Sequence, residues 1–362
     1  MDRLMEESDK ELFMNSLGSV VEENFQTDLD TLIGFLDPEA DPEVEGSGKG
    51  SLSAHRRLFF GNYLDMNSAV PKYVEVEDVD GLVTTIEQNL ELYNQESKTK
   101  MDLVMFVFAI EHVSRISRVL AMPGGSALLV GVGGSGKQSL TRLAAFIGRH
   151  HTFQIALTKN YNKSNMLDDL RELYKTAGLN KDVTFLFTDA EIKSESFLEV
   201  INSALLTGEV GGLFSKEEMM SATADISSRF EKERPHLLPT PDNLSKFFIE
   251  TVRDRLHFVL CMSPVNALFP IRARKFPGLV SCCTIDWFLP WPSDALVALS
   301  KAFIQDFPIE CTPEVKDGLM THMGMVHSMV TDICEEYFVK MRRRVYQTPK
   351  SYLSFIQNFT NL

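Results

Sequence analysis

The sequence predicts an α/β fold: a five-stranded, mainly parallel sheet between helices, followed by a small all-helical lid. Three observations carry this expectation. The run Leu128-Leu-Val-Gly-Val-Gly-Gly-Ser-Gly-Lys-Gln-Ser139 joins an apolar strand to a glycine-rich turn and the start of a helix. Four further apolar runs, Phe153–Leu157, Val183–Phe187, His257–Cys261 and Val280–Ile285, are separated by helical stretches that suit crossovers between parallel strands. From Ser293 onward only helical stretches remain, at about 293–305, 313–342 and 349–360.

Residues 1–37 place Leu12, Phe13, Leu17, Val20, Val21, Phe25, Leu29, Leu32, Ile33 and Leu36 at helical spacing on an acidic background, which predicts an amphipathic arm that docks on something else. A Pro/Gly/Ser linker follows at about 38–54. Tyr73-Val-Glu-Val76 reads as a short extended segment and residues 79–94 as a helix closing at Tyr93-Asn94. Residues 101–121 read as a longer helix that leads through Pro123-Gly-Gly125 into the first core strand. Beyond the glycine-rich turn, Leu140, Leu143, Ala144, Phe146 and Ile147 continue a helix. Met320, Met323, Met325 and Met329 read as core filler of the helical lid in preference to a partner groove. The chain thus divides into an acidic helical arm and flexible linker over 1–57, a large α/β domain over 58–292 and a helical lid over 293–362.

With 362 residues and 44% hydrophobic content, the chain can bury a large core. Residues 1–45 hold fourteen acidic and two basic residues, so most of the formal charge of −14 belongs to the arm. The main body lacks the clustered Lys and Arg that displace counterions from nucleic acid, and Arg342-Arg-Arg344 reads as a solvated helix face. Cys261, Cys282, Cys283, Cys311 and Cys334 show no CxxC or His-paired spacing and read as reduced thiols of an intracellular protein. Three sequons, at Asn162, Asn243 and Asn358, are expected to go unused, because Met1–Glu7 carries no apolar signal core and no long apolar span follows.

The glycine-rich turn reads as a phosphate cradle. Gly131, Gly133, Gly134 and Gly136 can take backbone angles that turn successive N–H groups inward, with Val132 and Ser135 between them, and the next helix aims its positive end at the bound anion. Lys137 adds a point charge on the β- and γ-phosphates. The residue after that lysine is normally Ser or Thr, a Mg²⁺ ligand; here it is Gln138, with Ser139 one place late, so metal binding is expected to be weak or rearranged. Gly46-Ser-Gly-Lys-Gly-Ser51 has similar letters but follows Asp41–Glu45 and no apolar strand, and reads as linker.

Val183–Thr188 is an apolar strand ending in Asp189, 52 residues after Lys137, where an acid emerges at the carboxyl edge of such a sheet and holds Mg²⁺ through water. The position after it, where a catalytic glutamate orients the attacking water, holds Ala190, and Glu191 comes one place late, turned to the opposite face of an extended segment. Ser263, after the strand at 256–262, reads equally as a polar sensor of the γ-phosphate or as a strand-ending serine before Pro264. Arg272 and Arg274 read either as an arginine finger for a neighbouring subunit's site or as solvated arginines.

These residues resemble one family, the dynein heavy chains, large AAA+ ring motors, and within them the fourth AAA+ P-loop module. The stretches that carry the resemblance are Ala109–Ile116, Leu128–Leu143, Phe197–Asn202 with Gly208-Glu-Val210, Cys261–Val265, Lys275–Leu279, Thr284–Phe288 with Trp291-Pro292, and Thr348–Leu353. It covers about residues 58–360, and Gln138 and Ala190 look like departures of the axonemal rather than the cytoplasmic type. The resemblance implies that Gly131 to Ser139 bind the phosphates of ATP or ADP, that Asp189 holds the metal water, and that the segment Tyr73 to Val76, with Tyr73 and Val74 as its named contacts, packs near the adenine. It also brings Lys350 to the nucleotide. It implies that Arg272 and Arg274 face the preceding module's nucleotide, that the partners are neighbouring modules of the same heavy chain, and that the setting is the cytoskeleton of a ciliary axoneme. Microtubules would be met only through a coiled-coil stalk that this sequence, without a long heptad run, does not contain; no membrane or nucleic acid is expected. Three readings follow: a regulatory nucleotide-binding module with little hydrolysis, an active ATPase using Glu191, and a spacer without nucleotide.

Overall fold

A computed structural model describes residues 4, 6–33, 59–63, 72–76, 78–291, 293–305 and 307–361. The linker at 38–54, including Gly46–Ser51, lies outside them. The arm forms α1 (Glu7–Phe25) and α2 (Leu29–Ile33), separated where Gln26 turns left-handed. Leu12, Phe13, Val20 and Phe25 of α1 are exposed. Next come the antiparallel pair β1 (Phe59–Gly61) and β2 (Val74–Val76), then α3 (Val79–Glu96) and α4 (Val107–Ala121).

The central unit runs β3 (Ala127–Gly131), α5 (Lys137–Ile147), β4 (His151–Gln154), α6 (Lys163–Gly178), β5 (Val183–Thr188), α7 (Glu195–Thr207), α8 (Lys216–Ala224), α9 (Ser227–Glu233), α10 (Pro241–Arg255), β6 (Leu256–Met262), α11 (Phe269–Lys275), α12 (Gly278–Ser281) and β7 (Thr284–Phe288). The five strands are parallel in the order β4-β5-β6-β3-β7. Strands β3, β5 and β6 are buried along their whole length, as continuous apolar runs covered on both faces should be. One face packs on α6, α7 and α10 around Phe185, Phe187, Phe197, Phe248 and Phe258, and the other on α3, α4 and α5 around Leu82, Ile110, Leu129 and Leu143.

The last three helices are α13 (Ser293–Ile304), α14 (Pro313–Met341) and α15 (Pro349–Thr360). They share a small core of Leu296, Leu299, Ile304, Met320, Met323, Tyr352 and Ile356. Tyr352 Oη donates to the Leu296 carbonyl at 2.8 Å, which fastens α15 to α13. Three helices open on Thr-Pro: Thr240, Thr312 and Thr348 each accept a backbone N–H on the side-chain oxygen, and the following proline fills the first helical position, where no N–H is needed. No helix among the described residues is long and apolar enough to cross a membrane.

The structure corrects several expectations. The helix expected over 101–121 starts at Val107, because the Asn94 side chain holds the backbone of Met101 at both its N–H (2.7 Å) and its carbonyl (2.8 Å), keeping 101–106 extended. The strand expected at 153–157 pairs earlier, from His151 opposite Val183 to Gln154 opposite Leu186. The apolar run 280–285 is split: α12 ends at Ser281 and β7 begins at Thr284, in register with Ala127. Gly278 causes this, since its N–H donates to Asn202 Oδ1 at 2.9 Å and draws a helical turn against α7. Met320 and Met323 are core, but Met325 and Met329 are half exposed, lying about 140° and 180° around the helix from Met320 at 100° per residue.

Phe185 is fully buried against Phe153, Phe187 and Phe258. Phe185→Ala is expected to cost about 3–5 kcal/mol in chemical denaturation. A cost below about 1 kcal/mol would show that this layer is not packed as described.

Candidate functional site

The carboxyl ends of β3, β5 and β6 meet at one edge of the sheet around a cleft of about 380 Å³, formed by the loop after β3, the turn after β5 and the end of β6. The loop owes its shape to glycine: Gly134 (φ 77°) and Gly136 (φ 88°) occupy the left-handed region. A side chain at Gly131 would strike Phe288 Cβ at 2.5 Å. One at Gly134 would strike Lys350 Cβ at 2.6 Å, so the start of α15 lies directly on the loop.

The Lys137 ammonium is folded onto this loop, donating to the carbonyls of Gly131 and Val132, each at 2.7 Å, and to Ser135 Oγ at 3.1 Å. Burial lowers its pKa, and the nearby Cys261 and Asp189 oppose the shift. The backbone N–H groups of Gly133 to Gly136 meet no acceptor among the described residues. A loop of unused donors closed by a buried cation fits a phosphate chain.

Asp189 stands at the opposite wall. Its Oδ2 accepts the Ser263 backbone N–H, and its Oδ1 lies 4.0 Å from Arg272 Nη1. Burial raises its pKa, partly offset by Ser263, Arg272 and Lys137. Arg272 also reaches Glu195 at 3.7 Å, so in this chain it faces Asp189; Arg274 is the exposed member of the pair. Burial pushes the thiol of Cys261, in the lining of the cleft, up to about 12.

The segment after Asp189 departs from the extended form expected. Asp189–Glu191 is a 3₁₀ turn closed by a capping box: Glu191 Oε2 accepts the Thr188 N–H at 2.7 Å while the Thr188 hydroxyl accepts the N–H of Glu191. Glu191 therefore curls back instead of pointing to the far face. Its other oxygen accepts from Gln154 Nε2 at 2.6 Å, and Arg142 donates to Gln154 Oε1. The same Gln154 amide reaches Gln138 at 3.5 Å, so Glu191 is buried one side chain away from the lip of the cleft. Burial raises its pKa against the pull of these hydrogen bonds.

A second cleft of about 50 Å³ adjoins Ser135 and Gly136; it is apolar and lies between Leu103, Val104 and Phe106 and the helices α13 and α15, through Leu299, Phe303 and Leu353. His112 lines it from below, fully buried, with Nδ1 on Asp286 Oδ2 at 2.6 Å, its ring stacked on Phe288, and Nε2 without a partner among the described residues.

The structure thus gathers Gly133 to Ser139, Asp189 and Ser263 around one cleft, with Gly131 and Val132 holding Lys137 and with Lys350 over the loop. Tyr73 and Val74 line neither cleft. Both are about half exposed on β2, where Tyr73 stacks on Phe60. Sequence reasoning missed Gln154, Arg142 and the apolar cleft. The run Met101–Phe106 carried a signal, being apolar just ahead of a helix, but it read as helix.

The family model described as "P-loop containing dynein motor region D4" matches residues 101–362. The chain is 44% identical over 368 residues to mouse "Dynein axonemal heavy chain 5" (99% of this chain, 8% of that protein). It is 47% identical over 296 residues to human "Dynein axonemal heavy chain 8" (81% of this chain, 7% of that protein). It is 43% identical over 367 residues to "Dynein gamma chain, flagellar outer arm" of Chlamydomonas reinhardtii (100% of this chain, 8% of that protein). The chain spans less than a tenth of the length of these three relatives.

Because burial raises the folded-state pKa of Glu191 above its unfolded value near 4.5, the folded chain takes up this proton first as pH falls, and the ionised form costs stability above that range. The stability of the wild type relative to Glu191→Gln is therefore expected to rise as pH is lowered from neutrality toward 4.5. A difference that does not vary with pH in paired denaturant titrations contradicts this placement of Glu191.

Proposed function

The chain belongs to the axonemal dynein heavy chains, within their P-loop motor region, and from that membership we propose that it is a regulatory nucleotide-binding module, the fourth of the ring, with little or no hydrolysis of its own. The observation that carries the reading is a complete phosphate cradle beside a vacant catalytic position: Ala190 has no carboxylate, and both oxygens of Glu191 are engaged by Thr188 and Gln154.

In this reading, ATP or ADP lies with its phosphates on the N–H groups of Gly133 to Gly136. Lys137 exchanges the carbonyls of Gly131 and Val132 for phosphate oxygens, with Gln138 and Ser139 at the start of α5. Mg²⁺, when bound, neutralises phosphate charge; Asp189 would hold it through water and Ser139 would supply the hydroxyl that Gln138 lacks. Ser263 is fixed at the γ-phosphate side through its hydrogen bond to Asp189. The adenine lies toward the apolar cleft, which has to widen to admit it, and Lys350 reaches the phosphates from α15. The domain division is residues 58–292 as the large domain and 293–362 as the lid, after the arm and linker of 1–57. A nucleotide touching both the loop and α13–α15 ties the lid to the sheet, so its presence changes how rigidly the module holds its neighbours. Arg274, exposed on α11, is the residue left to reach a preceding module. The parent motor would act on microtubules through a stalk, driving ciliary beating in the axoneme.

A second reading, an active ATPase, is favoured by one contact: Gln154 joins Glu191 to Gln138 at the lip of the cleft, so a rotation of Gln154 frees an acid beside the phosphates. Ala190→Glu separates the two. Phosphate release that appears only in Ala190→Glu, with Glu191→Gln no slower than wild type, supports the regulatory reading; loss of wild-type turnover in Glu191→Gln supports the other.

Lys137→Ala is expected to abolish the rise in melting temperature that ATP or ADP gives the wild type, leaving the nucleotide-free melting temperature unchanged, since a ligand stabilises only the state it binds. An equal drop without nucleotide would instead assign Lys137 to folding.

A further inference from the structure

We infer that His150, Asp182 and His257 form a divalent transition-metal site, selective for Zn²⁺-like ions, at the amino-terminal edge of the sheet. The site is separate from the nucleotide cleft and does not depend on how that cleft is read. His150 precedes β4, Asp182 precedes β5 and His257 is the second residue of β6. These three strands are adjacent and parallel, so their starts converge as their ends do. Each side chain offers one ligand atom, and the three atoms lie within 4.8 Å of one another. Tetrahedral Zn²⁺, with ligands near 2.0–2.2 Å, needs ligand atoms about 3.3 Å apart, a closure that side-chain rotation supplies.

The surroundings suit the ion. His257 Nδ1 lies 2.7 Å from the Gly125 carbonyl, which fixes that nitrogen as the N–H donor and leaves Nε2 as the lone-pair nitrogen. His150 Nδ1 lies 3.1 Å from Thr184 Oγ1. A second partner orienting each imidazole is the arrangement that metal-binding histidines use. Arg255 donates to one oxygen of Asp182 at 2.9 Å and holds the carboxylate in place. A cleft of about 310 Å³ lined by Asp182, His257 and Asn180 gives the ion access and leaves room for a fourth, water ligand. Two His and one Asp with an open position suit Zn²⁺ or Co²⁺ rather than Mg²⁺ or Ca²⁺, which prefer oxygen ligands. An ion there would clamp β4, β5 and β6 together at the edge opposite the phosphate cradle.

The test is titration of the full chain, stripped with chelator, with CoCl₂ and then ZnCl₂. The expected result is one equivalent of Co²⁺ with the visible absorption of a tetrahedral site, displaced by Zn²⁺, and a Zn²⁺-dependent rise in melting temperature. His150→Ala, which removes a partly exposed side chain, should abolish the absorption while the metal-free melting temperature holds. Thr184→Val, which keeps the side-chain shape but removes the hydroxyl, should weaken Co²⁺ binding by about 10-fold or more. Lys137→Ala should bind Co²⁺ as the wild type does. Absence of the absorption in the wild type, or its survival in both His150→Ala and Asp182→Asn, overturns the inference.

Discussion

The parallel register of β5, β6 and β3 is the constraint on which the cleft depends. Thr188 pairs with Cys261, and Val130 with Met262, so the three chains leave the sheet at one level. Each then turns in its own way: a left-handed glycine loop after β3, a 3₁₀ turn after β5, and the step to Ser263 after β6. Hydrogen bonding across these exits does the rest, with Ser263 donating to Asp189 and Lys137 closing the loop. A slip of one residue in any ladder would move every one of these groups to the wrong face.

The capping box at Thr188–Glu191 sets where the acid beside the cleft points. Glu191 accepts the Thr188 N–H on one oxygen and the Gln154 amide on the other, and these two bonds hold its side chain turned back beside the strand end. In the proposed function, the contacts that stabilise the turn also keep the acid away from an attacking water. Ala190 leaves nothing in its place. The cradle itself is untouched by this, and on that ground the proposed function separates nucleotide binding from hydrolysis.

The cradle was legible in the sequence because it is local: four glycines and a lysine in seven residues, with an apolar strand before and a helix after, admit few other structures. The β7 boundary was not, because Val280–Cys283 is apolar enough for a strand and only the approach of Gly278 to Asn202 makes it a helical turn. The Glu191 network joins residues 37 positions apart, and the apolar cleft draws on 103–106, 299–303 and 353, so no single window of sequence displays either. At Tyr73 and Val74 a β-strand pattern was visible, and its pairing partner, Phe59–Gly61, was not.

The most direct measurement is a single-turnover experiment in which the chain, in excess over radiolabelled Mg-ATP, is sampled over hours for bound ATP, bound ADP and released phosphate. The account predicts that bound label stays ATP, at a rate of loss no faster than free ATP in buffer. Conversion of the bound ATP to ADP and phosphate within minutes, slowed in Glu191→Gln, would contradict it.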